Sequence, residues 1–384
     1  MILIVVFYLL FNFITASQLN NLMQPNVSLN YREKRSVMID KSYLWDGTTF
    51  YYFVSFHLEQ RPIEVAHIII EKYTCLKFKK TKKRSKVNFI YQPGPSYLTY
   101  LGKQGRDPHK IYIPKESMMP AKIARETLRA LGFDYEHNRP DRDNYLIILK
   151  NGIIQKYLPL YAKLSSAIVN TFGLGYDYRS LMHFSSKELC LNRAQCIKSK
   201  SEDWLVEQAM GKAKDLSFND AKLVNLAYCL SLIAVRRGKC LHYGYPTGIS
   251  TTFCYCLPYF DGNRCQHFIP NFHYCTSRNV FYAKKIPSKS LLIANKNCYY
   301  LIKAKEGRKV LLFLRFEGYA LRKRICNEFQ HIEVRYMRDY SVSGTMICPR
   351  RKPYVFRSHS NLIILHTRYN MDNYRFKIYY SQIF

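Results

Sequence analysis

Residues 120–146 constrain this chain more than any other stretch. They read Pro-Ala-Lys-Ile-Ala-Arg-Glu-Thr-Leu-Arg-Ala-Leu-Gly-Phe-Asp-Tyr-Glu-His-Asn-Arg-Pro-Asp-Arg-Asp-Asn-Tyr-Leu. Pro120 suits a first helical turn and Gly132 a helix stop, so the pattern predicts a helix over 120–131. Arg125 and Arg129 then stand four apart on one face, a like-charge pair that is mildly destabilising unless acids intervene. Glu126 and Asp134 are the acids within reach, and both guanidinium groups are expected to be bridged by them. Beyond the helix, Arg139-Pro140-Asp141-Arg142-Asp143 alternates charge around a proline-containing turn. That pattern suits structural salt bridging more than catalysis.

The 384 residues are enough for two or three domains. Lys and Arg number 59 against 27 Asp and Glu, a formal charge of +32. Such a field favours anionic partners: extracellular acidic protein, matrix polysaccharide, anionic lipid or nucleic acid. The N-terminus argues against nucleic acid. Residues 1–17 form an uncharged apolar run ending in Thr15-Ala16-Ser17, a signal peptide pattern. The run is short of the ~20 residues that a bilayer span needs, and no later stretch is apolar for long enough. A secreted protein without a membrane span is therefore expected, and twelve cysteines, an even number, suit an oxidising compartment.

Residues 18–35 read as a short prosegment. They carry a glycosylation sequon at Asn26 and end in Arg32-Glu33-Lys34-Arg35, a processing site after Arg35. Phe50–Phe56 is aromatic and β-branched, as in a strand. Ile63, Ala66, Ile69 and Ile70 follow at helical spacing, with Pro62 in the first turn. Lys77–Lys86 holds seven basic residues in ten and is expected to be a solvated hairpin or loop.

The central stretch resembles the active-site helix of the astacin family of zinc proteases, whose pattern is H-E-x-x-H-x-x-G-F-x-H-E-x-x-R-P-D-R-D. Glu126, Gly132, Phe133, Glu136 and Arg139 to Asp143 fall on it. The three histidine positions hold Arg125, Arg129 and Tyr135. The resemblance places Glu126 as the general base that polarises a zinc-bound water. Arginine offers a metal no lone pair, and tyrosine could bind only as phenolate. A zinc site needs three or four ligands, so no zinc and no cofactor is expected here. Tyr176–Phe184 resembles the family's Met-turn, with Met182 as its apolar floor and Phe184 where the family has a transition-state tyrosine. His137, two positions beyond the third ligand position, is expected at the surface. In the family Glu136 receives the processed N-terminus, here Ser36. The family's zinc-blocking prosegment motif F-x-G-D is missing. Pro95 and Ser117 stand where the family has a disulfide, so the loop over the cleft is expected to be looser by ~2–4 kcal/mol.

The same resemblance implies a Cys75–Cys229 bridge closing a domain over 36–230. Cys190 and Cys196 lie close enough to close a small additional loop. Residues 236–266 resemble an EGF-like module with four cysteines. Cys240–Cys254 and Cys256–Cys265 are its expected pairs among three possible connectivities. From 275 to 384 the pattern is all strand, resembling a CUB domain with Cys275–Cys298 and Cys326–Cys348 bridges. The expected fold class is thus α+β: a two-lobed astacin-like domain, a small disulfide-rich module and an all-β sandwich. The expected function is that of a secreted pseudoenzyme, a metalloprotease homologue acting by extracellular binding. The alternative is an active zinc-dependent metalloendopeptidase with Glu126 as its base.

Overall fold

The computed structural model describes residues 37–84, 87–103, 105, 108–201, 203–229, 240–247, 250–318, 320–321, 327, 329–370 and 374–384. The expected signal peptide and prosegment, with Asn26 and Arg35, and also Ser36 and Cys326, lie outside the described residues.

Strand β1 (Val37–Met38) opens the first domain. β2 (Thr49–Val54) leads into helix α1 (Gln60–Glu71), followed by β3 (Lys77–Lys80), β4 (Phe89–Pro93), β5 (Leu98–Thr99) and β6 (His109–Ile113). These make one sheet in the order β3-β2-β4-β6-β5, parallel except for the β5–β6 pair. Helix α1 starts two residues before Pro62 and buries Ile63, Ala66, His67 and Ile70, the i, i+3, i+4, i+7 face of an amphipathic helix. It packs against α2 (Pro120–Ala130). The basic run at 77, expected to be a solvated hairpin or loop, instead places its first four residues in the edge strand β3, paired parallel to β2. Lys77, Lys79 and Lys80 face solvent, while Phe78 turns inward to stack on His67 at 4.3 Å. Exposed lysines on an edge strand discourage pairing with another chain.

The lower half of the domain is built from β7 (Leu146–Ile148), β8 (Val169–Asn170), β9 (Ile197–Ser199), α3 (Trp204–Ala209) and α4 (Phe218–Val224). β7 pairs with β9, and β8 returns to β1. Ser217 and Asp220 form a capping box at α4, which satisfies backbone donors that a helix start leaves free. Helix α4 runs directly into a π-helical turn over Asn225–Cys229. Cys229 is joined there to Cys75, 154 residues away, and Cys190 is joined to Cys196.

Residues 240–268 make two small antiparallel pairs, β10 (Tyr245–Thr247) with β11 (Ser250–Tyr255) and β12 (Phe260–Asp261) with β13 (His267–Phe268). Disulfides Cys240–Cys254 and Cys256–Cys265 hold them. Their apolar residues Leu257, Tyr259 and Phe260 share a cluster with Tyr299 and Ile364 of the C-terminal unit. A segment this small builds little core of its own.

The C-terminal unit is a two-sheet sandwich. Its strands are β14 (Val280–Tyr282), β15 (Ser288–Ile293), β16 (Cys298–Lys303), β17 (Lys309–Glu317), β18 (Ile332–Arg335), β19 (Thr345–Ile347), β20 (Tyr354–Arg357), β21 (Leu362–Thr367) and β22 (Arg375–Ile383). One sheet runs β14-β16-β21-β18-β19 and the other β15-β22-β17-β20. Val310, Leu312, Leu314 and Phe316 alternate inward along β17, the period-2 pattern of a half-buried strand. Cys275 is bonded to Cys298, and Cys348 is disulfide-bonded, its expected partner Cys326 being outside the described residues.

The sandwich is docked on the first domain at Gly175–Arg179. Gly175 N donates to Asp339 Oδ2 at 3.2 Å, and Ser343 Oγ donates to Asp177 Oδ2 at 2.9 Å. Arg179 reaches Gly344 O at 3.1 Å and Glu333 Oε1 at 3.3 Å. A Cβ at Gly175 would come within 2.6 Å of Val342 Cγ2, so glycine permits this close approach.

Candidate functional site

Helix α2 carries the candidate site. Ile123, Ala124 and Leu128 anchor it in the core. Gly132 then turns the chain at φ +98°, where a Cβ would lie 2.7 Å from Leu44 Cδ2. That turn folds Asp134, Tyr135 and Glu136 back under the helix. Arg125, Glu126, Arg129, Asp134 and Tyr135 are thereby buried together.

Every charge in this cluster has a partner. Arg125 Nε donates to Glu126 Oε1 at 3.1 Å, and its Nη2 donates to Glu188 Oε1 at 2.8 Å. Lys122 Nζ reaches the same Glu188 oxygen at 3.0 Å. The Tyr135 hydroxyl lies 2.9 Å from Glu126 Oε2 and 3.1 Å from Oε1. Arg129 makes a direct ion pair with Asp134, donates through Nε to Thr99 O at 3.3 Å, and lies 4.3 Å from the Tyr135 ring centre. Buried charges are tolerated only when paired and hydrogen-bonded in this way. Burial alone would raise the Glu188 carboxyl, but the Arg125 charge and hydrogen bond, with Lys122 behind them, hold it down to about 2. Burial opposes the Arg125 charge too, and the Glu188 and Glu126 carboxylates overcome it and raise its pKa. Burial, reinforced by the adjacent Glu126 carboxylate, pushes the Tyr135 phenol up and keeps it protonated.

This donor set does not fit a zinc ion. Metal ligands must offer a lone pair in a deprotonated state. Two guanidinium groups offer none and would set positive charge beside a dication, and the protonated Tyr135 phenol is committed to Glu126. Both oxygens of Glu126 are engaged within the cluster, Oε1 by Arg125 Nε and Oε2 by the Tyr135 hydroxyl. Among the described residues, no group of three or more His, Cys, Asp and Glu is arranged to hold a metal.

Tyr176–Phe184 lies directly beneath. Glu136 N donates to Met182 O at 3.1 Å, and Asp220 accepts from Ser180 Oγ at 2.6 Å and Leu181 N at 2.8 Å. Met182 is buried, and the Phe184 ring lies 4.4 Å from Tyr135 and 4.7 Å from the Arg125 guanidinium. Phe184 thus supplies a cation–π face where a hydroxyl would have been. Glu136 Oε1 accepts from Arg139 at 3.0 Å and from Asp177 N at 2.8 Å. Arg139 in turn pairs with Asp141 at 2.9 Å, and Arg142 with Asp143 at 3.0 Å.

Three features escape the sequence. His137 is fully buried and not at the surface: the 3-10 turn Glu136–Asn138 stacks its ring on Phe184 at 4.3 Å, and burial holds its pKa well below the usual value. Glu188 lies 63 residues beyond Arg125, in a loop without any local mark. Tyr97 bridges the loop that the missing crosslink would leave loose. Its hydroxyl donates to Ser117 O and accepts from Met119 N at 2.7 Å, beside the start of α2. The signal available in the sequence is a tyrosine two residues from Pro95, on the loop that lacks its crosslink.

Comparison with known proteins bears on this geometry. A family model for Astacin, a peptidase family, matches residues 37–229, just over half of the chain. The zinc metalloproteinase nas-34 of Caenorhabditis elegans is 28% identical over 301 residues, covering 77% of this chain and 48% of that protein. The zinc metalloproteinase dpy-31 of Brugia malayi is 27% identical over 349 residues, covering 87% and 57%. The chain spans about half the length of the curated relatives it matches. Among solved structures, the hatching enzyme zinc-protease HCE-1 of medaka (Oryzias latipes) aligns with TM-score 0.43 at 21% identity, covering 53% of this chain and 98% of that one. The match over residues 37–229 spans the sheet, helix α2, the turn after it and the Met182 segment, and on it the chain belongs to the astacin family of peptidases.

Proposed function

We propose that this chain is a secreted astacin homologue that does not hydrolyse peptides and acts as an extracellular binding or regulatory protein. One observation carries the reading: Arg125, Arg129 and Tyr135 fill the three ligand positions and consume Glu126, Glu188 and Asp134 in ion pairs and hydrogen bonds. Five disulfides between described cysteines support secretion. The four-cysteine segment is read as an EGF-like module and the two-sheet sandwich as a CUB domain, both suited to partner binding. The formal charge of +32 favours anionic partners. Among the described residues no helix is long and apolar enough to cross a membrane.

The second reading, an active metalloendopeptidase, is favoured by the retained Glu126 and by the names of the relatives. Incubation with an unfolded generic protein separates the two. The binding-protein reading expects no cleavage, and no difference between the parent and Glu126→Ala. Cleavage by the parent that disappears in Glu126→Ala would establish the peptidase reading.

A further inference from the structure

Between the first domain and the sandwich lies a groove of about 1090 Å³, walled by Tyr176–Arg179 and α3 on one side and by β18, β19 and β20 on the other. Its charges fall into two layers. At the floor, the carboxylates are already hydrogen-bonded, each both within its own unit and across the domain junction. Asp203 Oδ1 accepts from Leu205 N at 3.0 Å, and its Oδ2 accepts from Thr345 Oγ1 at 3.0 Å and Tyr336 OH at 3.2 Å. Asp339 accepts from Ser341 N at 2.9 Å and Gly175 N at 3.2 Å.

At the rim, the cations have no acid to pair with. Lys200, Lys309, Arg338 and Arg357 are exposed, line the groove and make no salt bridge among the described residues. Lys200 donates to the main-chain carbonyl of Asp143, not to its carboxylate. Arg350 donates to the carbonyls of Lys352 and Pro353, and its guanidinium is stacked 3.5 Å from the Tyr354 ring centre. Trp204, from the first domain, is 55% exposed at the same lip. The surplus is regional as well: residues 275–384 hold 22 Lys and Arg against six Asp and Glu.

We propose that this interdomain groove is the binding site for a linear sulfated polysaccharide, a deepening that rests on the reading of the chain as an extracellular binding protein. Cations without acid partners on both lips, above a floor whose carboxylates are already consumed, match a ligand with repeating negative charge. A cleft lined by one sign of charge focuses its field on such a ligand. Trp204 offers a flat apolar face to a sugar ring. An extended acidic peptide fits less well. Two sheet edges border the groove: β19 is three residues long and packed against α3, and β20 is four residues long, begins just after Pro353 and ends at Arg357. Short edges that are covered or carry proline and charge resist strand addition.

The test uses the full chain and a size-defined heparin oligosaccharide, with polyglutamate of equal charge alongside, at about 0.15 M salt, where the screening length is about 8 Å. The triple variant Lys309→Ser, Arg338→Ser, Arg357→Ser is expected to weaken heparin binding at least about tenfold, each basic group near a polyanion contributing a factor of about five. Trp204→Ala should weaken it further without changing the salt dependence. A control variant removes four charges elsewhere, at Lys79, Lys80, Lys82 and Lys83, and should bind within about threefold of the parent, since these exposed charges do not line the groove. All the substituted side chains are exposed, and equal melting midpoints establish that the variants fold. Heparin binding unchanged in the triple variant, or lost in the four-lysine variant instead, would overturn the groove assignment. Polyglutamate bound as tightly as heparin would overturn the saccharide class in favour of an acidic protein. None of these outcomes touches cleavage or zinc content, so failure of the groove and failure of the non-peptidase reading are told apart.

Discussion

Two buried ionic clusters, one on helix α2 and one at the domain junction, are built from the same residue types to opposite effect. On α2, Lys122, Arg125 and Arg129 face Glu188, Glu126 and Asp134, one acid for each base. At the junction, Arg179, Arg335 and Arg368 converge on the single carboxylate of Glu333, at 3.3, 3.0 and 3.6 Å. There Arg335 Nε, Arg368 Nε and both ring nitrogens of His366 find no hydrogen-bond partner among the described residues. The first cluster neutralises itself and leaves nothing for a metal or an anion. The second keeps positive charge in surplus beside an open groove. Burial, with the other two guanidinium groups near it, lowers the pKa of Arg179 despite Glu333, whereas burial is overcome by Glu333 at Arg335 and by Glu188 at Arg125, and both of those are raised. Identical chemistry therefore closes one site and leaves the other cationic, and the ratio of acids to bases decides which.

Removing the acid from each cluster tests that contrast most strongly. Glu333→Ala strands three guanidinium groups at once and should cost about 3–5 kcal/mol, the range for breaking a buried pair. Because the same carboxylate ties Arg179 to the sandwich, denaturant unfolding should also split from one transition into two. In the α2 cluster, Glu188→Leu should cost about 2–4 kcal/mol, and the double variant Arg125→Leu, Glu188→Leu should recover most of it, since a buried pair replaced by apolar groups is often nearly neutral. A double variant as unstable as the sum of its singles would break the picture of a balanced cluster. Both clusters are measurable by urea titration.

Acid provides a weaker, graded probe. The Glu188 pKa, lowered to about 2, means that the unfolded chain takes up this proton first. Its contribution is complete above about pH 4.5 and is lost as pH falls towards 2. Glu188→Gln should therefore flatten that part of the stability curve. Above it, burial holds His183 and His366 neutral down to about 4. The unfolded chain protonates these below about 6.5 while the folded chain does not, so stability should fall between about pH 6.5 and 4 in both regions. Glu136 and Asp220 act in the opposite sense. Burial raises them to about 7 and about 6, so the folded chain binds their protons first and gains stability as pH falls towards about 4. Thermal melts at half-unit pH steps would resolve the two signs. Smallest of all, Tyr97→Phe should cost about 1 kcal/mol by removing the tie to Ser117 and Met119.

Much of the fold and part of the site can be read from residue order. The 120–131 helix follows from Pro120, Gly132 and apolar spacing, because these are local signals. The strand pattern of 275–384 follows from alternation along segments such as 310–316. The pairing of Arg129 with Asp134 lies within five residues. What escapes is set by distant contacts. Glu188 becomes an anchor only when its loop folds over α2, and Glu333 meets Arg179 from 154 residues away. The burial of His137 depends on the turn at Gly132 and on Phe184, neither visible from its own neighbours. Charge alone makes the Lys77 run look like a solvated hairpin or loop, whereas Phe78 pairs with Phe50 in a parallel edge strand.

If the balanced α2 cluster stands in for the metal, the purified chain holds no zinc. Elemental mass spectrometry of the full chain, purified without chelator and dialysed against a zinc buffer, tests it most directly. Zinc far below one equivalent is expected, unchanged when Glu126 or Tyr135 is substituted. One tightly held zinc per chain that is lost on substituting Tyr135 would contradict it.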